Sequence, residues 1–408
     1  MKLLTFLGVA NYQETVYVWG DVEHTTRFAP AASCYFLKPD SVIAFLTEDA
    51  QQQVFADFRK ELPVDVEVNP QPVPLGRNQQ ELWQIFQSVT AAVKPGDEVS
   101  FDITHGLRSF PLIGLLVAAF LKSGVGASLK HVLYGAFDVR DQSVKPARTP
   151  VFDLTPMLVL LEWTAAADRF VQTGDARPMA RLLGAQPAPS PAVKRAMQTL
   201  SDVSLAASLC QPLELASRAQ QLGQDLQHAQ TDLSQTVLPF EILRERVADT
   251  FGAFTARVDQ NLLEGLKAQL KLIEWYYQNN QLMQAMTLAR EWMIDAVIFR
   301  LGEQFTLNAT DREEGYARGI TGLKRVTHRR NSSAMQKLND VGRRILQDFS
   351  DKERRALIEL SQGIQGVRNS LAHAGHQQSA MSLEKIAQKA EQGVLQPLLQ
   401  LAKLWGVA

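Results

Sequence analysis

The stretch Val99–Leu121 limits the choice of fold more than any other part of this chain. Val99, Phe101 and Ile103 alternate with Ser100, Asp102 and Thr104, the two-residue period of a strand. Pro111–Leu121 is then an uncharged apolar run, which predicts a buried helix. Thr104, His105 and Gly106 form the turn between the two. A strand that feeds a buried helix through so short a turn belongs in an open α/β sheet, and the turn lies at the sheet's carboxyl edge. There the free N–H groups of the next helix attract anions, and a glycine lets a phosphate approach the backbone. The same residues also have a purely local reading, in which Thr104 caps the helix, Gly106 relieves a tight turn and His105 packs nearby.

The preceding residues supply the rest of such a sheet. Lys2–Leu7 is a strongly apolar strand that meets Gly8, with Asn11-Tyr12 shortly after, a second candidate ligand edge. Thr15–Trp19 and Thr25–Phe28 read as a small strand pair, Ser41–Leu46 as a buried strand and Glu48–Leu62 as an amphipathic helix. Val64–Val68 is a further strand, and Gln79–Val93 is a helix that starts after Gly76-Arg77-Asn78. Leu129–Phe137 and Val151–Leu154 complete the set. Strands alternating with helices of this length imply right-handed crossovers and a parallel, Rossmann-like sheet over residues 1–155.

Composition narrows the function. A chain of 408 residues with 46% hydrophobic content divides into two or three domains. A net charge of -1 argues against a uniformly basic nucleic-acid binder, although a local basic patch is compatible with it. No run of about 18 apolar residues marks a membrane helix, and no leader is expected. Cys34 and Cys210 stand alone, without Cys or His at metal-ligand spacing, so the expectation is a cytoplasmic protein with no structural zinc and no membrane partner. Gly8 is not followed by Gly-x-x-Gly and no acidic residue stands at the expected place, which disfavours a nicotinamide cofactor.

Asp102-Ile103-Thr104-His105-Gly106 resembles the DxTHG signature of the CRISPR-associated Rossmann fold (CARF) proteins of type III systems. Phe6-Leu7-Gly8 with Asn11-Tyr12, and Gly76-Arg77-Asn78 leading into Glu81-Leu82-Trp83, resemble corresponding segments of that family, the first more loosely. The resemblance implies a sensor domain that dimerises and binds a cyclic oligoadenylate across its two-fold axis. The residues implied in binding are Gly8, Ala10, Asn11, Tyr12, Asp102, Thr104, His105, Gly106 and Arg108. A ring of four nucleotides would meet a two-fold axis symmetrically, so cyclic tetraadenylate is the expected activator, with cyclic hexaadenylate as runner-up.

Beyond Pro156 the strand signals stop. Met157–Val171 and Ala176–Leu183 carry helical periodicity, Gly184–Pro191 is an Ala/Pro linker, and only helices follow from Ala192. Residues 156–255 are expected to form a connecting helical domain and residues 256–408 a second helical domain. Gln281–Arg300 is apolar on two sides and belongs inside a bundle; Arg290-Glu291 at its middle is either an internal salt bridge or a support for a site.

Leu357, Leu360, Ile364, Val367 and Leu371 are spaced by three and four, so Arg368 lies on a helix whose end Gly375 marks, with His373 in its last turn. By itself this is an ordinary helix C-terminus, in which His373 favours the negative dipole end and Arg368 is solvated. Arg368-x-x-x-x-His373 also resembles the catalytic motif of HEPN ribonucleases, which commonly follow CARF sensors in this order. A histidine can move protons near neutral pH, and an arginine can hold crowded phosphoryl oxygens with its planar fork. Such a pair suits metal-free RNA cleavage by the ribose 2′-OH. Five positions on an ideal helix turn through about 140°, so Arg368 and His373 do not share a face. Two copies paired across a two-fold axis, as the HEPN resemblance also implies, would bring both pairs together. Asn369 is expected to orient the histidine or the RNA.

Residues 312–344 carry nine Lys or Arg against three acids, a local surplus of six. Arg325, Arg329 and Arg330 are candidate RNA contacts there, unless acids from elsewhere in the fold neutralise the face. The expectation is therefore an α/β sensor followed by an all-α HEPN domain: a homodimeric, metal-independent endoribonuclease, needing no cofactor, that cuts single-stranded RNA when activated. Assembly beyond a dimer is left open. The alternatives are a non-catalytic nucleotide-sensing module that controls a partner, and a HEPN ribonuclease whose α/β domain binds or cleaves another nucleotide.

Overall fold

The computed structural model describes residues 1–105, 110–185, 189–232, 250–328, 337–372, 376 and 381–408. It divides into two compact units, Met1–Glu162 and Trp163–Ala408. The first is α/β and the second is helical, as the sequence leads one to expect.

The first unit is built on eight strands: β1 (Lys2–Leu7), β2 (Thr15–Trp19), β3 (Val22–Thr26), β4 (Ser41–Leu46), β5 (Glu67–Pro72), β6 (Glu98–Asp102), β7 (Ser128–Gly135) and β8 (Arg148–Asp153). Their order in the sheet is β3-β2-β8-β7-β6-β1-β4-β5. From β5 to β7 every pairing is parallel. After β1 the chain lays the β2–β3 hairpin at the far edge, then β4 and β5 on one side of β1, and returns to lay β6 and β7 on the other. The winding thus reverses between β1 and β6, and their carboxyl ends open side by side. The β7–β8 and β2–β3 pairings are antiparallel, so the sheet is mixed at one end.

Both faces of the central strands are buried, as a sheet covered by crossover helices requires. Leu4 and Phe6 pack with Phe45, Phe101, Ile85, Val89 and Val117 on one side, while Leu3 and Leu7 pack with Val42, Leu46, Phe28 and Phe58 on the other. The first layer includes the helices Gln79–Ala91 and Phe110–Phe120. Asn78 caps the former by accepting the Glu81 N–H at 2.9 Å, and the Glu81 carboxylate reaches back one residue beyond the cap to accept the Arg77 N–H at 2.8 Å. Gly76 precedes it at φ +77°, a left-handed turn that suits glycine. The Gly76-Arg77-Asn78 segment thus has a complete local explanation as a helix start.

Several boundaries differ from the sequence reading. β5 extends to Pro72 through Pro70, because it is an edge strand and a missing N–H costs little on the open side. The second strand of the hairpin is Val22–Thr26 rather than Thr25–Phe28, since Phe28 turns inward to precede the helix Ala29–Leu37. The helix expected over Glu48–Leu62 is two, Glu48–Gln53 and Phe55–Lys60, broken at Val54.

In the helical unit the helix Leu282–Arg300 runs through the core with Trp292 fully buried, its indole N–H donating to Leu266 O at 3.0 Å. The helix Asp351–Ala372 crosses the segment Glu391–Leu395 so closely that a Cβ on Gly363 would lie 1.8 Å from Gly393 O. Among the described residues no helix is long and apolar enough to cross a membrane.

Candidate functional site

The carboxyl ends of β1 and β6 meet the end of β7 around a solvent-open cleft with about 590 Å³ of empty space. Its walls are the loop Ala10–Gln13 after β1, Thr104 and His105 after β6, and Tyr134, Gly135, Phe137 and Asp138 at the end of β7. Tyr17 from β2 and Arg27 complete it.

Asp102 is fully buried at the end of β6 and has no cation beside it among the described residues. Its carboxylate accepts the Ser33 hydroxyl and, at 3.0 Å, the Thr104 N–H. Burial raises its pKa, and the Ser33 and Thr104 bonds oppose that rise by favouring the charged form. Asp102 therefore shapes the turn from beneath. Thr104 Oγ1 accepts the Gly135 N–H at 2.8 Å, which ties β6 to β7. A Cβ on Gly135 would meet Tyr17 at 2.8 Å and Thr104 at 3.3 Å, so only glycine leaves this floor unobstructed.

His105 Nε2 accepts the Ala29 N–H at 3.1 Å and so caps the helix Ala29–Leu37, whose own N-cap residue, Phe28, offers no side-chain acceptor. With Nε2 accepting, the ring proton is assigned to Nδ1. Burial pushes the His105 pKa down to about 4, so the imidazole is neutral at physiological pH. It is therefore no phosphate-neutralising cation, and taking up a proton at Nε2 would break the cap. The Tyr12 ring stands edge-on to His105 at 4.8 Å and packs on Phe28 at 4.7 Å, while its hydroxyl donates to Gly8 O at 2.6 Å. Burial raises the Tyr12 pKa to about 12, so that hydroxyl stays protonated. Tyr12, Thr104 and His105 thus converge on one cleft with Ala10 and Asn11, with Asp102 behind them and Gly8 holding Tyr12. Gly106 and Arg108 lie outside the described residues.

Arg27 is the one cation that the described residues place on this cleft. Its Nε donates to Glu61 Oε1 at 2.9 Å, and its terminal nitrogens come only within 4.0 Å of Asp57. Glu61 thus fixes the guanidinium while the fork remains available. The sequence reading missed Arg27, Tyr17, Ser33 and Gly135, because no local pattern announces a residue that reaches the edge from a hairpin or a neighbouring strand.

In the helical unit, Arg368 is partly buried and Asn369 exposed on the last turns of Asp351–Ala372, and neither has an ion pair or side-chain hydrogen bond among the described residues. His373 lies outside the described residues, as do Arg329 and Arg330. Arg325 falls in the helix Arg318–His328. Much of the basic surplus around it is spent on nearby acids. Arg312 pairs with Glu291 at 2.8 Å and Asp295 at 2.7 Å, and Arg318, Arg343 and Arg344 pair with Glu314, Asp340 and Glu303. Arg290 bridges Glu291 and Glu313, each at 2.6 Å, so the Arg290-Glu291 pair is an internal salt bridge. Among the described residues no three His, Cys, Asp or Glu side chains cluster to hold a metal ion.

Residues 159–258 match the family model described as CRISPR-associated protein MJ1674, second domain. CRISPR-associated protein MJ1674 of Methanocaldococcus jannaschii is 31% identical over 114 residues, which are 27% of this chain and 18% of that protein. Over this stretch the chain is similar to a CRISPR-associated protein. The resemblance read from its sequence is borne out at that level, although the match spans less than a fifth of the archaeal protein. Enterococcus italicus Csm6 bound to cyclic hexa-2′-fluoro-hexa-dAMP aligns over 100% of this chain and 94% of its own, at a TM-score of 0.45 and 11% identity. A likeness that distant fixes neither fold nor ligand.

Proposed function

We propose that this chain is a cyclic-oligoadenylate-activated endoribonuclease of type III CRISPR defence, in which a CARF-type sensor, residues 1–155, controls a HEPN-type site in residues 256–408 of a homodimer. Residues 156–255 connect the two. The observation that carries the reading is the cleft at the switch point of the sheet, shaped by the Asp102–His105 turn, in a chain related to CRISPR-associated proteins. The cleft suits a nucleotide: aromatic rings for bases, one tethered arginine for a phosphate and a wall formed by the exposed residues Ala10, Asn11 and Gln13.

In the reaction, the ribose 2′-OH attacks the adjacent phosphorus as His373 takes its proton, and the 5′-oxygen leaves with a proton returned to it. Arg368 holds the crowded phosphoryl oxygens, and Asn369 orients the histidine or the RNA. The products are a 2′,3′-cyclic phosphate and a 5′-hydroxyl, and no metal ion takes part. Arg368 lies on one turn of a single helix, so a site needs the same helix end from a second copy. The ligand acts at a distance only by binding one arrangement of the dimer better than another. Cyclic tetraadenylate is the expected activator, and Arg325, Arg329 and Arg330 the expected RNA contacts.

The test is end-labelled single-stranded RNA incubated with the purified chain in EDTA, with cyclic tri-, tetra- or hexaadenylate or none. Cleavage with one ring only, leaving 2′,3′-cyclic phosphate ends, is the expected result. Cleavage that needs added divalent metal, or that ignores every ring, would overturn it.

A further inference from the structure

Asp138 is the one carboxylate that the described residues place on the cleft, and it differs from the acids around it. Asp102 is saturated by Ser33 and Thr104, Glu61 holds Arg27, and Asp141 accepts the Ser143 N–H at 2.8 Å. Asp138 is exposed and has no donor among the described residues. A bare carboxylate repels phosphodiesters, so in a cleft that binds an anionic ligand it must face a part of that ligand that donates. It stands just past β7, two strands from the β1 loop, which at the usual strand spacing is about 10 Å along the edge. Tyr134 beside it offers a ring surface against which a base can pack, while one face of Phe137 carries the Arg140 guanidinium at 3.9 Å.

We propose that Asp138 is a specificity-determining residue that reads the base of a bound cyclic oligonucleotide by accepting the exocyclic 6-amine of adenine. The inference rests on the cyclic-oligoadenylate reading above. Adenine presents a 6-amino donor where guanine presents a 6-oxo acceptor, so a carboxylate set against that position favours the first and repels the second. Arg27, across the cleft loops, then takes a phosphate, and the two side chains divide the ligand by charge. The backbone of Asp138 lies in a short helical turn, Phe137–Val139, that alanine adopts equally well, so replacing the side chain leaves the wall in place.

The test measures binding of cyclic tetraadenylate, of the same ring built from purine riboside, which lacks the 6-amine, of cyclic tetraguanylate and of the 2′-deoxy adenylate ring. Wild-type protein and Asp138→Ala are compared by calorimetry. A charge-assisted hydrogen bond at an exposed site is worth about tenfold in affinity. Wild type should therefore prefer adenine to purine about tenfold per base read, and Asp138→Ala should bind the two alike. An adenine-to-purine preference unchanged in Asp138→Ala would overturn the inference alone, as would loss in that variant of discrimination against the deoxy ring only, which would assign Asp138 to the ribose. Tighter binding of the guanylate ring by wild type would also overturn it. If no ring binds wild type, the cyclic-oligoadenylate reading falls and the inference with it.

Discussion

At the carboxyl edge of the sheet the polar atoms that shape the candidate ligand site are paired within one chain: Asp102 with Ser33 and Thr104, Thr104 with Gly135, and His105 with Ala29. At the end of the helix Asp351–Ala372, Arg368 and Asn369 have no such partners among the described residues. One region is shaped before any ligand arrives. The other leaves both side chains free, among the described residues, to meet the partners proposed for them, a second copy or RNA. That contrast is what the proposed function requires: a pre-shaped receptor that biases the assembly of a second site.

The largest effect belongs to the helix end. His373→Ala should lower ring-stimulated RNA cleavage by about 10²–10⁴-fold, the usual value of proton transfer, with ring affinity at the wild-type value. Arg368→Ala should do nearly the same. Cleavage at the normal rate by either variant would move the active site elsewhere and end the comparison.

Next comes the receptor. Asp102→Ala strands the Ser33 hydroxyl and the Thr104 N–H in a buried place, which costs about 1–3 kcal/mol of stability by urea unfolding. Ring affinity should fall with it, because the turn loses its support. Wild-type stability in this variant would mean that the edge is not shaped in advance.

A smaller effect concerns acid. The folded-state pKa of His105, about 4, lies below its ordinary value of 6.5, so unfolding takes up a proton anywhere between the two. Its contribution is complete above pH 6.5 and is lost as pH falls toward 4. His105→Gln, which cannot be protonated, should flatten that part of the stability profile; an unchanged acid limb would mean that the imidazole is not buried in the neutral form. Smallest of all, EDTA should leave cleavage unaltered, and a loss of activity on chelation would argue for a bound ion.

The core strands β1, β2 and β4 are legible in the sequence to the residue, because unbroken or strictly alternating apolar runs admit few other readings. The alternation in β6 misleads in one respect. It suggests that Ser100 and Asp102 face water, yet both are fully buried, since helices cover both faces of the sheet. The turn after β6 is legible as a site, but the role of each residue is not. Asp102 lies beneath the cleft, and His105 caps a helix that begins seventy-six residues earlier in the chain. Partners so remote in sequence, like Arg27 and Gly135, meet only through the winding of the sheet. The basic run at residues 312–344 looks like a surface for RNA, whereas Arg312 is committed to the buried Asp295 and to Glu291 across the bundle.

The central claim is that a ligand held in the sheet-edge cleft switches a separate site in the helical unit. It is tested most directly by titrating RNA cleavage with cyclic tetraadenylate in wild type and in Arg27→Ala. Arg27 lies on the cleft surface, its Nε held by Glu61, so its loss should remove one phosphate contact without disturbing the sheet. The expected result is no cleavage without the ring, a midpoint raised about tenfold in the variant and the same plateau at saturation. Equal midpoints with a lowered plateau, or cleavage that does not depend on the ring, would contradict it.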